Sequence, residues 1–211
     1  MTGGICPGCW SSVKKWEGGQ CQRCGNQVAG KKSLCELCLI PGWGCSEVKT
    51  IGPFEAPLSD VIHMLKYSDA ISVSRKLGAI MAERIVSDQK YNKADLVLAV
   101  PLHSARERER GYNQAQLLAE QLGRALGVAS PKGLVARCRH TKSQTTMNKE
   151  QRHRNVEGIF AVQNPDRIKD KTVILVDDVL TTGATIGSCG QSLLAAGARE
   201  VLALTAAAAP L

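Results

Sequence analysis

The chain has 211 residues, 44% apolar and 22% charged, which suits one medium globular domain with a small appendage. It carries 27 Lys and Arg against 19 Asp and Glu, a formal +8, which points to a polyanionic partner, either nucleic acid or a small phosphorylated substrate. No apolar run reaches the roughly 18 residues a membrane span needs, and no basic stretch followed by an apolar one opens the chain, so the expectation is a cytoplasmic protein without membrane insertion.

The first 50 residues are rich in Cys, Gly and Trp and poor in apolar periodicity, as in a metal-stapled module that cannot build a core of its own. Six of the nine cysteines form three C-x-x-C pairs: Cys6/Cys9, Cys21/Cys24 and Cys35/Cys38. In a reducing compartment that usage favours zinc thiolates over disulfides. Each pair is a knuckle offering two thiolates, and two knuckles complete a tetrahedral site. Ten residues separate Cys24 from Cys35 and eleven separate Cys9 from Cys21, so spacing predicts at least one structural Zn²⁺ without choosing its four ligands. Cys45 could supplement Cys6 and Cys9, while Cys138 and Cys189 read as packing residues.

From about Pro53 the composition changes, which sets the expected domains at 1–50 and 51–211. Leu58, Val61, Ile62 and Leu65, then Leu77, Ile80, Met81 and Ile85, recur at helical spacing. Asp95–Val100 reads as a buried strand ending at Pro101, followed by a polar loop, PLHSARERERGY. A helix is expected from about Asn113, a natural N-cap, to Leu126. Val135–Arg139 and Gly158–Val162 are candidate strands around a basic segment. Val173–Val176 is a fully apolar strand, Thr185–Ala196 a helix stopped by Gly197, and Glu200–Thr205 the last strand. Strands alternating with helices predict an α/β fold with a parallel sheet flanked by helices.

The string Val173–Thr185, VILVDDVLTTGAT, carries the chemistry. A buried strand delivers Asp177 and Asp178 to its carboxyl end, where ligands of such sheets sit, and strand alternation sends the two carboxylates to opposite sides. One can accept hydrogen bonds from vicinal ribose hydroxyls while the other holds a basic group or a metal-bound water. Thr181, Thr182, Gly183, Ala184 and Thr185 then open a helix. Small residues let backbone N–H groups approach a phosphate, the hydroxyls add donors, and the helix N-terminus favours the negative charge.

This string resembles the signature of the type I phosphoribosyltransferases. The chain is further similar to the competence protein F (ComF, or GntX-like) branch in its cysteine knuckles, Leu65–Tyr67, Arg108–Ala115, Thr141–Gln144 and Arg152–Phe160, so the resemblance runs over nearly the full length. It implies binding of 5-phosphoribosyl 1-diphosphate with Mg²⁺. Asp177 and Asp178 would meet the ribose hydroxyls and stabilise charge at the anomeric carbon. Thr181 to Thr185 would hold the 5-phosphate, with Val179 among the substrate-contacting positions, and Arg106 and Arg110 would reach the diphosphate. The family often carries four knuckles in two ribbons, which makes Cys6 and Cys9 a second knuckle without its first and favours Cys21, Cys24, Cys35 and Cys38 as the closed zinc site.

Seven Lys and Arg against one acid fall between Lys132 and Arg154. This segment has two readings. It could be a flap that folds Lys142, Arg152 and Arg154 over the diphosphate and excludes water. It could equally be a contact for single-stranded DNA or DNA-uptake proteins, in a non-catalytic adaptor. The resemblance implies a link to competence and DNA use. No segment reads as a base-binding hood, so the acceptor is left open.

Overall fold

A computed structural model describes residues 5–16, 21, 28, 34–35, 43–67, 70–138 and 159–209. In chain order its elements are α1 (Pro7–Ser11), β1 (Glu47–Pro53), α2 (Leu58–Tyr67), α3 (Ala70–Ile85), α4 (Gln89–Asn92), β2 (Leu96–Ala99), α5 (Ser104–Arg110), α6 (Gln114–Leu126), β3 (Val135–Arg137), β4 (Phe160–Val162), β5 (Thr172–Leu180), α7 (Ala184–Ala195) and β6 (Glu200–Ala208). Four strands form a parallel sheet in the order β1-β6-β5-β2, and β3 pairs with β4 antiparallel.

A parallel sheet must be covered on both faces, and the alternation of β5 supplies both. Ile174 and Val176 join the core under α2, α3 and α6, where Leu58, Val61, Ile62, Leu65, Leu77, Met81 and Leu122 are buried. Val173 and Leu175 face the other way, against Ile186, Cys189 and Leu193 of α7 and Phe160 of β4. Both expected helical stripes and the expected α/β architecture are present. Among the described residues, no helix is long and apolar enough to cross a membrane.

Four boundaries differ from expectation. β5 runs on to Leu180, so Asp177 and Asp178 lie within the strand rather than beyond it; pairing of Asp177 with Thr205 and of Val179 with Ala207 carries the ladder past the acids. β6 likewise continues to Ala208, because its small residues still pack against β5. The stretch read as a loop after Pro101 contains α5. His103 accepts the Ala105 N–H at 3.1 Å to start it, and Gly111, at φ 82°, ends it. None of its residues is buried, so it has no apolar period to betray it. Finally, β1 straddles the 50/51 boundary. The Trp16 N–H donates to the Ile51 carbonyl at 3.1 Å and its indole to Thr50 Oγ1 at 2.6 Å, while Ile5, Trp10 and Val13 enter the same core as Ile51. The change in composition at Pro53 is therefore not a break in packing for residues 5–16.

Candidate functional site

Strand alternation settles where the two acids point. Asp178 has the parity of Ile174 and Val176 and turns toward α2 and α6. Its carboxylate is buried and meets Lys66 Nζ at 2.8 Å, and the Gln114 side-chain amide donates to the same oxygen at 3.3 Å. Gln114 in turn accepts from Arg110, whose guanidinium lies 5.2 Å over the Tyr67 ring. Tyr112 closes the arrangement by donating its hydroxyl to the Leu65 carbonyl at 2.9 Å. Asn113 does two jobs at the head of α6: its oxygen caps Ala115 N–H at 3.0 Å and its amide donates to Val100 O at 3.0 Å. The cap ties the helix to the end of β2, and with it Gln114 to Asp178.

Asp177 turns to the α7 side, toward Arg137 and the buried Cys189. Burial, reinforced by the neighbouring charge of Asp178, pushes its carboxyl well above the usual range; the Asp178 N–H at 2.9 Å and the more distant Lys66 pull the other way. Burial, then the charge of Arg106, lowers Arg137 from its ordinary value, with Asp177 opposing. Arg137 is placed by the antiparallel register that sets it opposite Phe160, whose ring lies 5.8 Å beneath its guanidinium.

These groups enclose one cavity of about 190 Å³, whose wall includes Lys66, Arg106, Arg110, Arg137, Gln114, Asp177, Asp178 and Thr185. Four cations face two carboxylates there, a balance that suits a polyanion carrying hydroxyls. The turn between β5 and α7 supplies its edge. Thr181 and Thr182 are exposed, Thr182 Oγ1 accepts the Ala184 N–H at 3.4 Å, and Gly183 adopts φ 74°, where a side chain would be strained.

Of the residues singled out from sequence, the structure brings Asp177, Asp178, Arg106, Arg110 and Thr185 to this cavity. Val179 lies in β5, and Thr181, Thr182, Gly183 and Ala184 build the turn leading to the cavity. Lys142 and Arg152 lie outside the described residues, as do Cys24 and Cys38. Lys66, Gln114 and Arg137 were missed as site residues. Lys66 and Gln114 fall inside segments already quoted for the resemblance, the only signal that pointed to them; Arg137 counted merely as one charge of a basic run.

The cysteines separate into distinct places. Cys6 caps α1; its sulfur accepts the Cys9 N–H at 3.3 Å and lies 3.3 Å from the Cys9 sulfur, both residues being exposed. The Cys9 N–H holds the Cys6 thiol below its ordinary value, and Cys6 pushes Cys9 up. Cys21, which is buried, accepts the Cys35 N–H at 3.2 Å, so the backbone of one knuckle meets the thiol of another. That donor set fits a thiolate metal site whose other members would be Cys24 and Cys38; among the described residues no three ligands cluster. Cys45 does not supplement Cys6 and Cys9. It is buried in the opposite core, its sulfur 3.8 Å from Ile186 O. Cys189 is fully buried as expected, whereas Cys138 is exposed and is not a packing residue.

Residues 76–210 match the phosphoribosyl transferase domain. The chain is 29% identical to competence protein F of Haemophilus influenzae over 94% of its own length and 87% of that protein. It is 30% identical to DNA utilization protein YhgH of Salmonella typhimurium, with the same two coverages of 94% and 87%. Among solved structures it is similar to the glutamine phosphoribosylpyrophosphate amidotransferase of B. subtilis, at 20% identity over 67% of this chain and 30% of that one, with a TM-score of 0.45. The chain belongs to the phosphoribosyl transferase domain family, in the branch of competence protein F.

Proposed function

We propose that this protein binds 5-phosphoribosyl 1-diphosphate and transfers its phosphoribosyl group to a nitrogen acceptor. The observation that carries the reading is a cavity in which the adjacent acids of β5 and Thr185 of α7 are ringed by Lys66, Arg106, Arg110 and Arg137. The anomeric C–O bond to diphosphate breaks, the new C–N bond forms, and the acceptor nitrogen gives up its proton. Arg106, Arg110 and Arg137 offset the charge of the departing diphosphate. Asp177 accepts from a ribose hydroxyl, and its negative charge is favoured as positive charge grows on the ribose. Lys66 and Gln114 fix the second carboxylate, Asp178, in place. The N–H groups of the Thr181–Thr185 turn and the hydroxyl of Thr185 hold the 5-phosphate.

Mg²⁺ bound with the substrate would neutralise phosphate charge, and the oxygen donors of the acid pair suit such a hard ion. A structural Zn²⁺ on Cys21, Cys24, Cys35 and Cys38 would staple the N-terminal segment. The relatives named for competence and DNA utilization support a role in bacterial DNA uptake or use.

The test is release of diphosphate, measured across a panel of nucleobases and amines. Release that depends on one acceptor and vanishes in Asp177→Asn supports transfer; binding without release for any acceptor leaves a sensor of the ribose diphosphate in its place. A second reading, a single-stranded DNA adaptor, draws on Tyr67, 72% exposed with Arg110 over its ring, since an exposed aromatic beside a cation suits base stacking. Such binding must weaken steeply with salt, and a flat response would remove it.

A further inference from the structure

The segment Trp43–Cys45, directly after the cysteine-rich stretch, lies along the first two turns of α7 at a separation that admits no extra methyl group. A Cβ built on Gly183 would stand 2.7 Å from the Trp43 ring, one on Gly187 2.2 Å from its indole nitrogen, and one on Gly190 2.4 Å from the Gly44 carbonyl. A Cβ on Gly44 itself would stand 2.0 Å from Gln191 N. Within this contact the Trp43 indole N–H donates to the Gly183 carbonyl at 3.1 Å, and the Gly187 N–H donates to the same oxygen at 2.8 Å.

That carbonyl belongs to the peptide joining Gly183 to Ala184. In a trans peptide the C=O and the N–H point in opposite directions in one plane, so fixing the first aims the second. Gly183 stands at the N-cap of α7 without a side chain to cap it. Thr182 Oγ1 takes the N–H of that peptide at 3.4 Å, and the indole holds its carbonyl from outside the helix.

We propose that Trp43 is a positioning residue for the phosphate turn: it pins the Gly183 carbonyl, thereby fixes the plane of the peptide whose Ala184 N–H donates to Thr182 Oγ1, and couples the cysteine-rich segment to ligand affinity. The coupling to affinity rests on the turn being a phosphate grip, as proposed above; the pinning does not. Because the glycines of α7 leave no slack, a shift of the Trp43–Cys45 segment must move the first turn of the helix.

The experiment compares full-length wild type with Trp43→Phe, which keeps a ring but lacks the N–H, and with Trp43→Ala. Trp16→Phe serves as control, since it removes an equivalent indole bond, to Thr50, elsewhere. Amide hydrogen exchange of residues 184–186 is read without ligand, and affinity for 5-phosphoribosyl 1-diphosphate with Mg²⁺ by calorimetry. Trp43→Phe is expected to speed exchange at these amides selectively and to weaken binding about 5-fold, roughly the factor one net hydrogen bond is worth. Trp43→Ala should do more, and if it fails to fold Trp43→Phe still decides. Unchanged exchange in Trp43→Phe overturns the proposal, as does faster exchange throughout the chain or faster local exchange with unchanged affinity. A wild type that binds no ribose diphosphate would sink the functional reading instead, and the exchange comparison would then decide the pinning by itself.

Discussion

The Lys66 ammonium sits 2.8 Å from Oδ2 of Asp178, and this contact joins the end of α2 to the strand that carries the acid pair. Asp178 is 8% exposed at the side chain and Lys66 21%, so the pair is mostly out of water and each partner depends on the other. Replacing Lys66 by Met leaves a buried carboxylate without its cation, supported by the Gln114 amide on Oδ2 and the Val179 N–H on Oδ1. With the partial exposure of Lys66 screening part of the loss, the expected cost is about 1–3 kcal/mol, or a few degrees of Tm. Asp178→Asn should cost less, because the freed ammonium can turn to solvent. Urea melts of both variants and of the double variant check this. The double variant should lose less than the sum of the two, and additivity would show that the contact carries no energy.

Asp177 makes the opposite contribution. Its folded-state pKa lies above that of the unfolded chain, so between the two values the native state binds more protons and stability falls as pH rises through that window. Asp177→Asn removes the cost of burying the charge. Its Tm should exceed that of wild type at neutral pH, and the two should converge below the ordinary carboxylate range. Binding of the ribose diphosphate should weaken about tenfold or more in the same variant. Thermal melts across pH give the first result; a variant less stable than wild type at neutral pH would contradict the assigned environment.

Much of this was legible in the sequence because it is local. The run Val173–Val176, the Asn113 cap and the stripe Leu58, Val61, Ile62, Leu65 each announce an element through spacing alone. The acid pair and the small-residue turn follow each other directly, so one string exposed them. Lys66, Gln114 and Arg137 come from separate stretches and meet Asp177 or Asp178 only once α2, α6 and the β3–β4 pair are packed around β5. Trp43 was invisible for a related reason: its partners are Gly183 and Gly187, which have no side chains to pattern. α5 was hidden because it buries nothing.

Two glycines at positive φ separate strain from collision. Gly111, at φ 82°, has open space around its missing side chain, while Gly183, at φ 74°, has the Trp43 ring at 2.7 Å. Gly111→Ala should cost only the left-handed backbone penalty, about 1–2 kcal/mol. Gly183→Ala should cost more and should also weaken ligand binding. Denaturant unfolding of both variants tests the order, and equal losses would mean the indole yields freely.

The cysteine contacts predict a metal content. The Cys35 N–H donates to the Cys21 sulfur, whereas Cys6 and Cys9 pair with each other at α1. Metal analysis should find about one zinc per chain, lost in Cys21→Ser with Cys35→Ser and retained in Cys6→Ser with Cys9→Ser. A stably folded protein without metal would refute the site.

If the cavity between β5, α2, α5 and α6 holds an activated ribose phosphate, calorimetric titration of the intact protein with 5-phosphoribosyl 1-diphosphate and Mg²⁺ will register it. Saturable binding at one site per chain, weakened by Asp177→Asn with Asp178→Asn while the fold persists, is the predicted result; no binding by the intact, folded protein would contradict it.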